Sequence, residues 1–249
     1  MSLKVVDGTI HLRPCRTRLP FRFGAVTMER ALLATLRLEV ECEDGGPALG
    51  HAADLLVPRW FDKDPVKTTD DNAVDLLTAV RDALRVIIAA PCAETPFDQW
   101  LHLESRVPRD PARPGLVRGF GIALVERALR DAWCGVLDLS FGALCRSQAL
   151  GFRPEAVHPS LADYDLVADL PGRDLDETAL RHTVGMADPL RREEAPLDDG
   201  LPATLEDEIA HYGVDHFKLK IGAGPDADGQ RLRAIAAVIG VAGVQAPKF

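Results

Sequence analysis

The sequence has 249 residues, of which 47% are hydrophobic and 27% are charged, and its formal net charge at pH 7 is −9. This composition is typical of a folded globular protein. The acidic balance argues against a general binder of nucleic acid or of anionic membranes, which would need a basic face. No run of about 18 apolar residues predicts a membrane span, and the first residues lack the apolar stretch of a signal peptide. We therefore expect a cytoplasmic protein with no nucleic-acid or membrane partner.

Five cysteines are spread widely along the chain: Cys15, Cys42, Cys92, Cys134 and Cys145. Their number is odd and no two of them form a CxxC pair, so the pattern does not indicate a disulfide framework or a zinc site. We expect reduced thiols in the core, where cysteine packs as a small apolar residue.

The first sixty residues predict strands. Residues 9–27 alternate weakly and carry arginines that are either outward residues of short strands or a basic patch for an anionic ligand: Arg13, Arg16, Arg18 and Arg22. Residues 31–43 alternate apolar and polar side chains with the period of two that a half-buried strand requires. Residues 44–46, Asp-Gly-Gly, then predict a turn, and residues 48–57 predict a returning strand. This region therefore predicts an antiparallel meander.

Helical patterns follow the strands. Residues 69–71 offer N-cap chemistry, and apolar residues then recur at three- and four-residue spacing: Val74, Leu77, Val80, Ala83, Leu84, Ile87 and Ile88. A second long helix is predicted over residues 118–134, and its apolar stripe consists of Ile122, Val125, Leu129 and Ala132. Shorter helical segments are predicted over residues 97–104 and 137–150. The proline-rich residues 105–115 between them predict a loop.

The pattern changes after residues 152–174, which contain three prolines and several acids and predict a boundary. Residues 180–186 predict a strand, and residues 204–211 predict a short helix that Thr204 caps together with Asp207. Residues 214–221 predict a second strand, and residues 226–239 predict a helix. This alternation is typical of parallel α/β units. We therefore predict two domains, residues 1–152 and residues 153–249.

The second predicted strand carries two lysines, Lys218 and Lys220, between Phe217, Leu219 and Ile221. Residues two apart in a strand point the same way, so the lysines share one face and the apolar residues share the other. Two neighbouring ammonium groups disfavour each other's charge and burial adds to this effect, which makes a lysine usable as a base near neutral pH. Taken alone, the same pattern also fits a solvated strand face.

Other polar residues gave weaker signals for a metal site. Acids accumulate in residues 165–199, but their spacing does not match a calcium-binding loop, so we interpret them as solvated loop residues: Asp165, Asp169, Asp174, Asp176, Asp188, Asp198 and Asp199. His211 and His216 lie five residues apart across a helix–strand junction, and we do not expect them to share a metal. The residues themselves therefore predict no metal ligand.

These features together resemble the enolase superfamily, in its mandelate racemase / muconate lactonizing enzyme branch. Residues 202–239 are similar to the second βα unit of that family's barrel, in which a short helix precedes a strand that ends in Lys-x-Lys. Upstream, residues 18–24, 32–50 and 121–133 resemble an early stretch, the first hairpin and a helix of the family's capping domain. The pair Gly50-His51 departs from the Gly-Glu that relatives often have there. The resemblance covers nearly the whole chain, although only Lys-x-Lys is a chemical motif.

The resemblance implies an α+β N-terminal capping domain followed by an incomplete (β/α)8 barrel of about two βα units. It implies removal of the proton α to a carboxylate in a small substrate, with Lys220 as the base, Lys218 as its electrostatic companion, and Mg2+ stabilising the enediolate. The family's metal ligands lie at the ends of the third to fifth strands, and each βα unit of a full barrel takes about 30 residues. We therefore expect a truncated protein without these ligands that is inactive alone, and a homo-oligomer is an open alternative to a monomer.

Two alternatives remain open at this point. The chain is either a fragment of a racemase, cycloisomerase or acid-sugar dehydratase, or a non-catalytic α/β remnant that acts, if at all, by association. A third interpretation is a small independent α/β protein in which residues 222–224, Gly-Ala-Gly, cradle a phosphate. That segment lacks the third glycine of GxGxxG and the Lys-Ser/Thr of a P-loop, which weakens this interpretation.

Overall fold

The computed structural model describes residues 2–23, 26–43 and 46–249. Contacts divide the chain into two compact units, of which the first comprises residues 1–15 and 31–175 and the second comprises residues 16–30 and 176–249. The sequence placed a single division after residue 152. The contacts divide the chain after residue 175 and assign residues 16–30 to the second unit, and the predicted domain boundary stays a prediction.

Three strands form the first sheet in the order β1-β2-β3: β1 (Leu3–Phe23), β2 (Val26–Cys42) and β3 (Gly46–Leu55). β2 and β3 pair antiparallel, with Leu36 opposite Ala52, which confirms the predicted strand and its return. The predicted inward face of β2 is buried at Ala34, Leu36, Leu38, Val40 and Cys42. The predicted turn at residues 44–46 and the predicted stretch at residues 18–24 lie partly outside the described residues.

Among the described residues, the first unit also contains a short 3-10 helix (Pro159–Leu161) and six α-helices: α1 (Thr69–Ile88), α2 (Pro96–Arg106), α3 (Gly115–Leu137), α4 (Phe141–Arg146), α5 (Pro154–Val157) and α6 (Leu166–Asp169). The N-cap of α1 is Thr68, one residue before the predicted capping segment. The Thr68 hydroxyl accepts from the Asp71 N–H, and the Asp71 carboxylate accepts from the Thr68 N–H. This reciprocal capping satisfies two N–H groups that a helix start leaves free.

The core of the first unit lies between the sheet and α1–α3. The predicted stripe of α3 is buried at Ile122, Val125, Leu129 and Ala132. The prediction for α1 was partly wrong, because Val74 is 61% exposed whereas Leu76 is buried. α3 lies directly against both neighbours: a Cβ on Gly50 of β3 would lie 1.9 Å from the Ala128 carbonyl oxygen, and a Cβ on Gly121 would lie 2.2 Å from the Ala79 carbonyl oxygen. Glycine is therefore required at both contacts.

The second unit contains a short parallel sheet with two helices: β4 (Arg181–Val184), α7 (Leu205–Tyr212), β5 (His216–Leu219) and α8 (Pro225–Val241). The predicted order of strands and helices is confirmed. Thr204 caps α7 by accepting from the Asp207 N–H, and Gly213, at φ 63°, ends it. Lys248 then pairs parallel with His216, and its carbonyl oxygen accepts from the Phe217 N–H at 2.8 Å.

A separate small core holds the second unit together, formed by Val184, Leu190, Leu205, Ile209, Val214, Phe217, Ile235, Val238 and Ile239. Ile235 and Ile239 lie inward on α8 as predicted, but Leu232 is 37% exposed. None of the described helices, in either unit, is both long and apolar enough to cross a membrane.

Candidate active site

The register of β4 and β5 places the two predicted lysines on the face opposite the small core. Residues that pair in a parallel ladder point to the same face of the sheet. Val184 pairs with Leu219, and Thr183 pairs with Lys218. Because Val184 and Leu219 contact the core, Thr183 and Lys218 face away from it. Lys220 follows on the Lys218 side, and its N–H donates to the Val184 carbonyl oxygen at 3.0 Å, which extends the ladder past β5.

Lys218 and Lys220 lie two residues apart on the same side of the strand ladder. The positive charge of Lys220 lowers the pKa of Lys218, and the hydrogen bond between the two side chains, partial burial and the charge of Arg181 lower it further. Both lysines are partly buried. A lysine beside other cations is held closer to its neutral, reactive form than an isolated one. The two predicted lysines therefore lie side by side, and their catalytic role stays a prediction.

Sequence reasoning missed two members of this face, Arg181 and Thr183. Arg181 pairs in register with His216, two residues before the Thr183–Lys218 pair, so it lies on the lysine side of the sheet. The sequence contained a signal for this placement. The two-residue period of the strand predicted over residues 180–186 puts Arg181 and Thr183 on the same face. What the sequence lacked was the register between the strands.

The segment that follows each strand is fixed by internal hydrogen bonds. After β4, the Gly185 N–H donates to the Asp188 carboxylate at 2.6 Å, and Arg231 of α8 donates to the carbonyl oxygens of Gly185 and Asp188. After β5, the Asp228 carboxylate accepts from the Gly222 N–H at 3.0 Å and from the Ala223 N–H at 3.1 Å. These hydrogen bonds lower the pKa of Asp228. The N–H groups that a phosphate would need already bind this carboxylate, so the geometry gives no support to the phosphate-cradle interpretation.

Arg18, one of the four predicted basic residues, is engaged within the second unit. Its guanidinium binds the Asp199 carboxylate through Nε at 2.8 Å and also donates to the carbonyl oxygens of Leu201 and Pro202. The Arg18 guanidinium lowers the pKa of Asp199 to about 2. Arg18 is therefore a structural contact in this geometry, whereas Arg13, Arg16 and Arg22 are exposed on β1.

The residues do not fit a magnesium site where the structure describes them. Within the described ranges, no group of three or more His, Cys, Asp or Glu side chains is placed to hold a metal ion. Several of the candidate acids have other contacts: Asp165 caps its own helical turn, Asp174 pairs with Arg146, and Asp199 pairs with Arg18. The Nδ1 atom of His216 lies 2.6 Å from the Asp215 carboxylate. We therefore derive no chemical step from a bound metal.

The described thiols show no disulfide. All five cysteines are free, and only Cys42 is fully buried, whereas Cys92 is exposed.

The pair Gly50-His51, which differs from the Gly-Glu of the family that the sequence resembles, lies in β3. The His51 N–H donates to the Asp131 carboxylate at 2.8 Å, so the backbone of this position is bound to α3.

Solved structures share this fold. A mandelate racemase/muconate lactonizing enzyme-like protein from Rubrobacter xylanophilus matches 95% of this chain and 50% of its own, with 18% identity and a TM-score of 0.57. A muconate lactonizing enzyme from Mycobacterium smegmatis, complexed with muconolactone, matches 96% of this chain and 50% of its own, with 18% identity and a TM-score of 0.58. An enolase from alpha-proteobacterium BAL199, with bound magnesium, matches 96% and 52%, with 14% identity and a TM-score of 0.58.

These likenesses show the fold: an α+β capping domain followed by the start of a (β/α)8 barrel, as the sequence predicted. The chain spans about half the length of the solved structures that it matches. No protein-family model matches the chain, and no curated protein matches it.

Proposed function

We propose that this chain supplies the base of a site that removes the proton α to a carboxylate in a small molecule, with Lys220 as the base and Lys218 as its companion. The observation that carries the proposal is the position of both lysines at the carboxyl end of β5, on the face opposite the small core. In barrels built from βα units, active sites lie at this carboxyl edge of the strands. The fold shared with mandelate racemase/muconate lactonizing enzyme-like proteins supports the same assignment.

The neighbouring charges of the two lysines indicate how the pair would work. The neighbouring charges favour the neutral form of Lys218, and a neutral amine accepts a proton. In the proposed roles, Lys218 takes up a proton and Lys220 accepts the α-proton of the substrate. The positive charge that remains on Lys218 then stabilises the negative charge that develops on the substrate. Reactions that begin with this step include racemisation, epimerisation, cycloisomerisation and dehydration.

We also propose that turnover requires metal ligands beyond the described residues, because those residues offer no fit for magnesium. Titration calorimetry of the 249-residue chain with magnesium chloride tests this part. We expect no saturable binding in the micromolar range. Saturable micromolar binding would show that the ligands lie within the chain and that the proposed dependence is wrong.

The lysine assignment is tested with a substrate that needs no metal. Monoethyl phenylmalonate stabilises its own enolate through the ester, and exchange of its α-proton in D2O is followed by proton NMR. We expect the chain to accelerate exchange, and the Lys220→Ala variant to lose roughly a hundred-fold of that acceleration, the usual contribution of a positioned base. Lys63→Ala changes an exposed lysine and is the matched control. Equal rates for the chain and the Lys220→Ala variant would contradict the assignment.

A further inference from the structure

A cavity of about 270 Å³ lies in the first unit, between α1, the start of α3 and the loop of residues 107–114 that joins α2 to α3. Its volume is near the lower end of the range for small-molecule sites. Each of these three elements contributes a buried apolar residue to the lining: Ala79, Val107 and Val117. The body of a ligand in this cavity would therefore contact apolar side chains.

Two arginines of the lining are held in place by carboxylates. Arg118 donates to the Glu104 carboxylate at 2.7 Å. Arg113 donates to the Asp110 carboxylate at 2.9 Å and lies 3.5 Å from that of Asp82. The charges of both guanidinium groups are therefore balanced within the protein. Each guanidinium has five N–H donors, which is more than these contacts use, so both arginines can also donate to a ligand.

A third arginine of the lining, Arg109, has no such partner. Its side chain is exposed, and among the described residues none forms an ion pair or a hydrogen bond with it. Arg109 therefore adds one positive charge to the cavity that no carboxylate balances. Gly115, which also lines the cavity, begins α3, and the first turn of this helix contains no acid. No carboxylate of that turn therefore opposes an anion in the cavity.

We propose that this cavity binds small aromatic monocarboxylates. The ligand carboxylate pairs with Arg109, because a planar guanidinium binds a carboxylate through two parallel N–H donors, and the ring lies against Ala79, Val107 and Val117. One unbalanced cation fits a single negative charge better than the multiple charges of a phosphate. The site lies in the first unit and uses no residue of β5, so it does not depend on the proton abstraction proposed above.

Fluorine NMR of 4-fluorobenzoate, added to the full chain, tests this site. We expect its resonance to shift and broaden saturably, with a dissociation constant on the order of 1 mM or lower. The amide 4-fluorobenzamide keeps the ring but has no charge, so it should bind roughly ten-fold more weakly, the usual loss for a hydrogen bond to a charged group. Absence of saturable binding, or equal affinity for the two compounds, would overturn the proposal.

Two arginine variants locate the binding. Arg109→Gln removes the unbalanced cation at an exposed position and should weaken 4-fluorobenzoate binding about ten-fold. Arg106→Gln removes an exposed cation at the end of α2, outside the lining, and should bind like the unchanged chain. Equal affinities of the two variants would overturn the role of Arg109. Far-ultraviolet circular dichroism shows that each variant is folded.

Competition with inorganic phosphate tests the class of ligand. Phosphate has no apolar body, so at the concentration of 4-fluorobenzoate it should displace little of the bound compound. Displacement by phosphate at that concentration would show a general anion site and would overturn the assignment to aromatic monocarboxylates.

Discussion

The surroundings of one lysine in the first unit and of one lysine in the parallel sheet of the second unit shift the pKa in opposite directions. In the first unit, Lys67 lies between two carboxylates, 2.6 Å from Asp62 and 2.8 Å from Asp75, and these contacts raise the pKa of Lys67. In the second unit, Lys218 lies beside Lys220, and this contact lowers the pKa of Lys218. The first arrangement stabilises the charged form of the amine and the second disfavours it.

The opposite pKa shifts distinguish a lysine that stabilises the fold, Lys67, from a lysine that is a candidate for chemistry, Lys218. A cation that is surrounded by carboxylates stabilises the segment that carries them. Cations placed side by side repel each other and reduce the stability of the fold. Perturbed groups of the second kind are concentrated at functional sites.

The largest expected effect lies in the small core behind the lysines. Phe217 is 1% exposed, and Phe217→Ala should reduce the free energy of unfolding of the second unit by about 4 kcal/mol, the usual cost of removing a buried aromatic ring. The chain's three tryptophans all belong to the first unit, so the second unit is best followed by hydrogen exchange of peptides from residues 205–219. Ile221→Ala, at a 62% exposed position, should change stability by less than about 0.5 kcal/mol. Similar effects of the two changes would contradict this core.

The corresponding change in the first unit tests the contact between α1 and α3. A methyl group on Gly121 would lie 2.2 Å from the Ala79 carbonyl oxygen, so Gly121→Ala should cost about 3 kcal/mol through overpacking. Gly119 lies on the same helix, and nothing lies within 4 Å of its added Cβ. Gly119→Ala should therefore stabilise the helix by up to about 1 kcal/mol. Urea unfolding followed by tryptophan fluorescence distinguishes the two, and a shift in the same direction for both variants would refute the close contact.

A smaller effect is expected at the clamped lysine. Only 7% of the Asp62 side chain is exposed, so Lys67→Met leaves this carboxylate without its cation and should cost about 2 kcal/mol. Lys63→Met, at an exposed position, is the control and should be nearly neutral in the same urea titration. A Lys67→Met variant as stable as the unchanged chain would show that the clamp contributes nothing.

The smallest effect depends on pH. Arg18 lowers the pKa of Asp199 from 3.8 to about 2, so the ionised carboxylate stabilises the folded form above the higher value. That contribution is lost as the pH falls through about 2. The melting temperature of the Asp199→Asn variant should therefore fall less steeply than that of the unchanged chain over this acidic range. Parallel curves for the two proteins would contradict the role of this ion pair.

Local patterns predicted much of this structure, because they act over a few residues. The alternation in β2, the stripe of α3 and the Thr204 cap all appeared where the sequence placed them. The failures concern contacts between distant residues. The ion pair of Arg18 with Asp199 joins positions 181 residues apart. The shared face of Arg181 and Lys218 can be predicted only from the register of the two strands. Ile221 was predicted inward by the same alternation, but β5 ends at Leu219 and Ile221 is exposed.

The most direct test of the lysine pair is the pKa of Lys218, measured by NMR of its side-chain carbon and nitrogen nuclei during a pH titration. We predict a value below the ordinary 10.5 for Lys218 and a value above it for Lys67 in the same spectra. The Lys220→Met variant should move Lys218 back toward 10.5. A Lys218 that titrates at or above 10.5 in the unchanged chain would contradict the account, because its two neighbouring cations would then have no chemical effect.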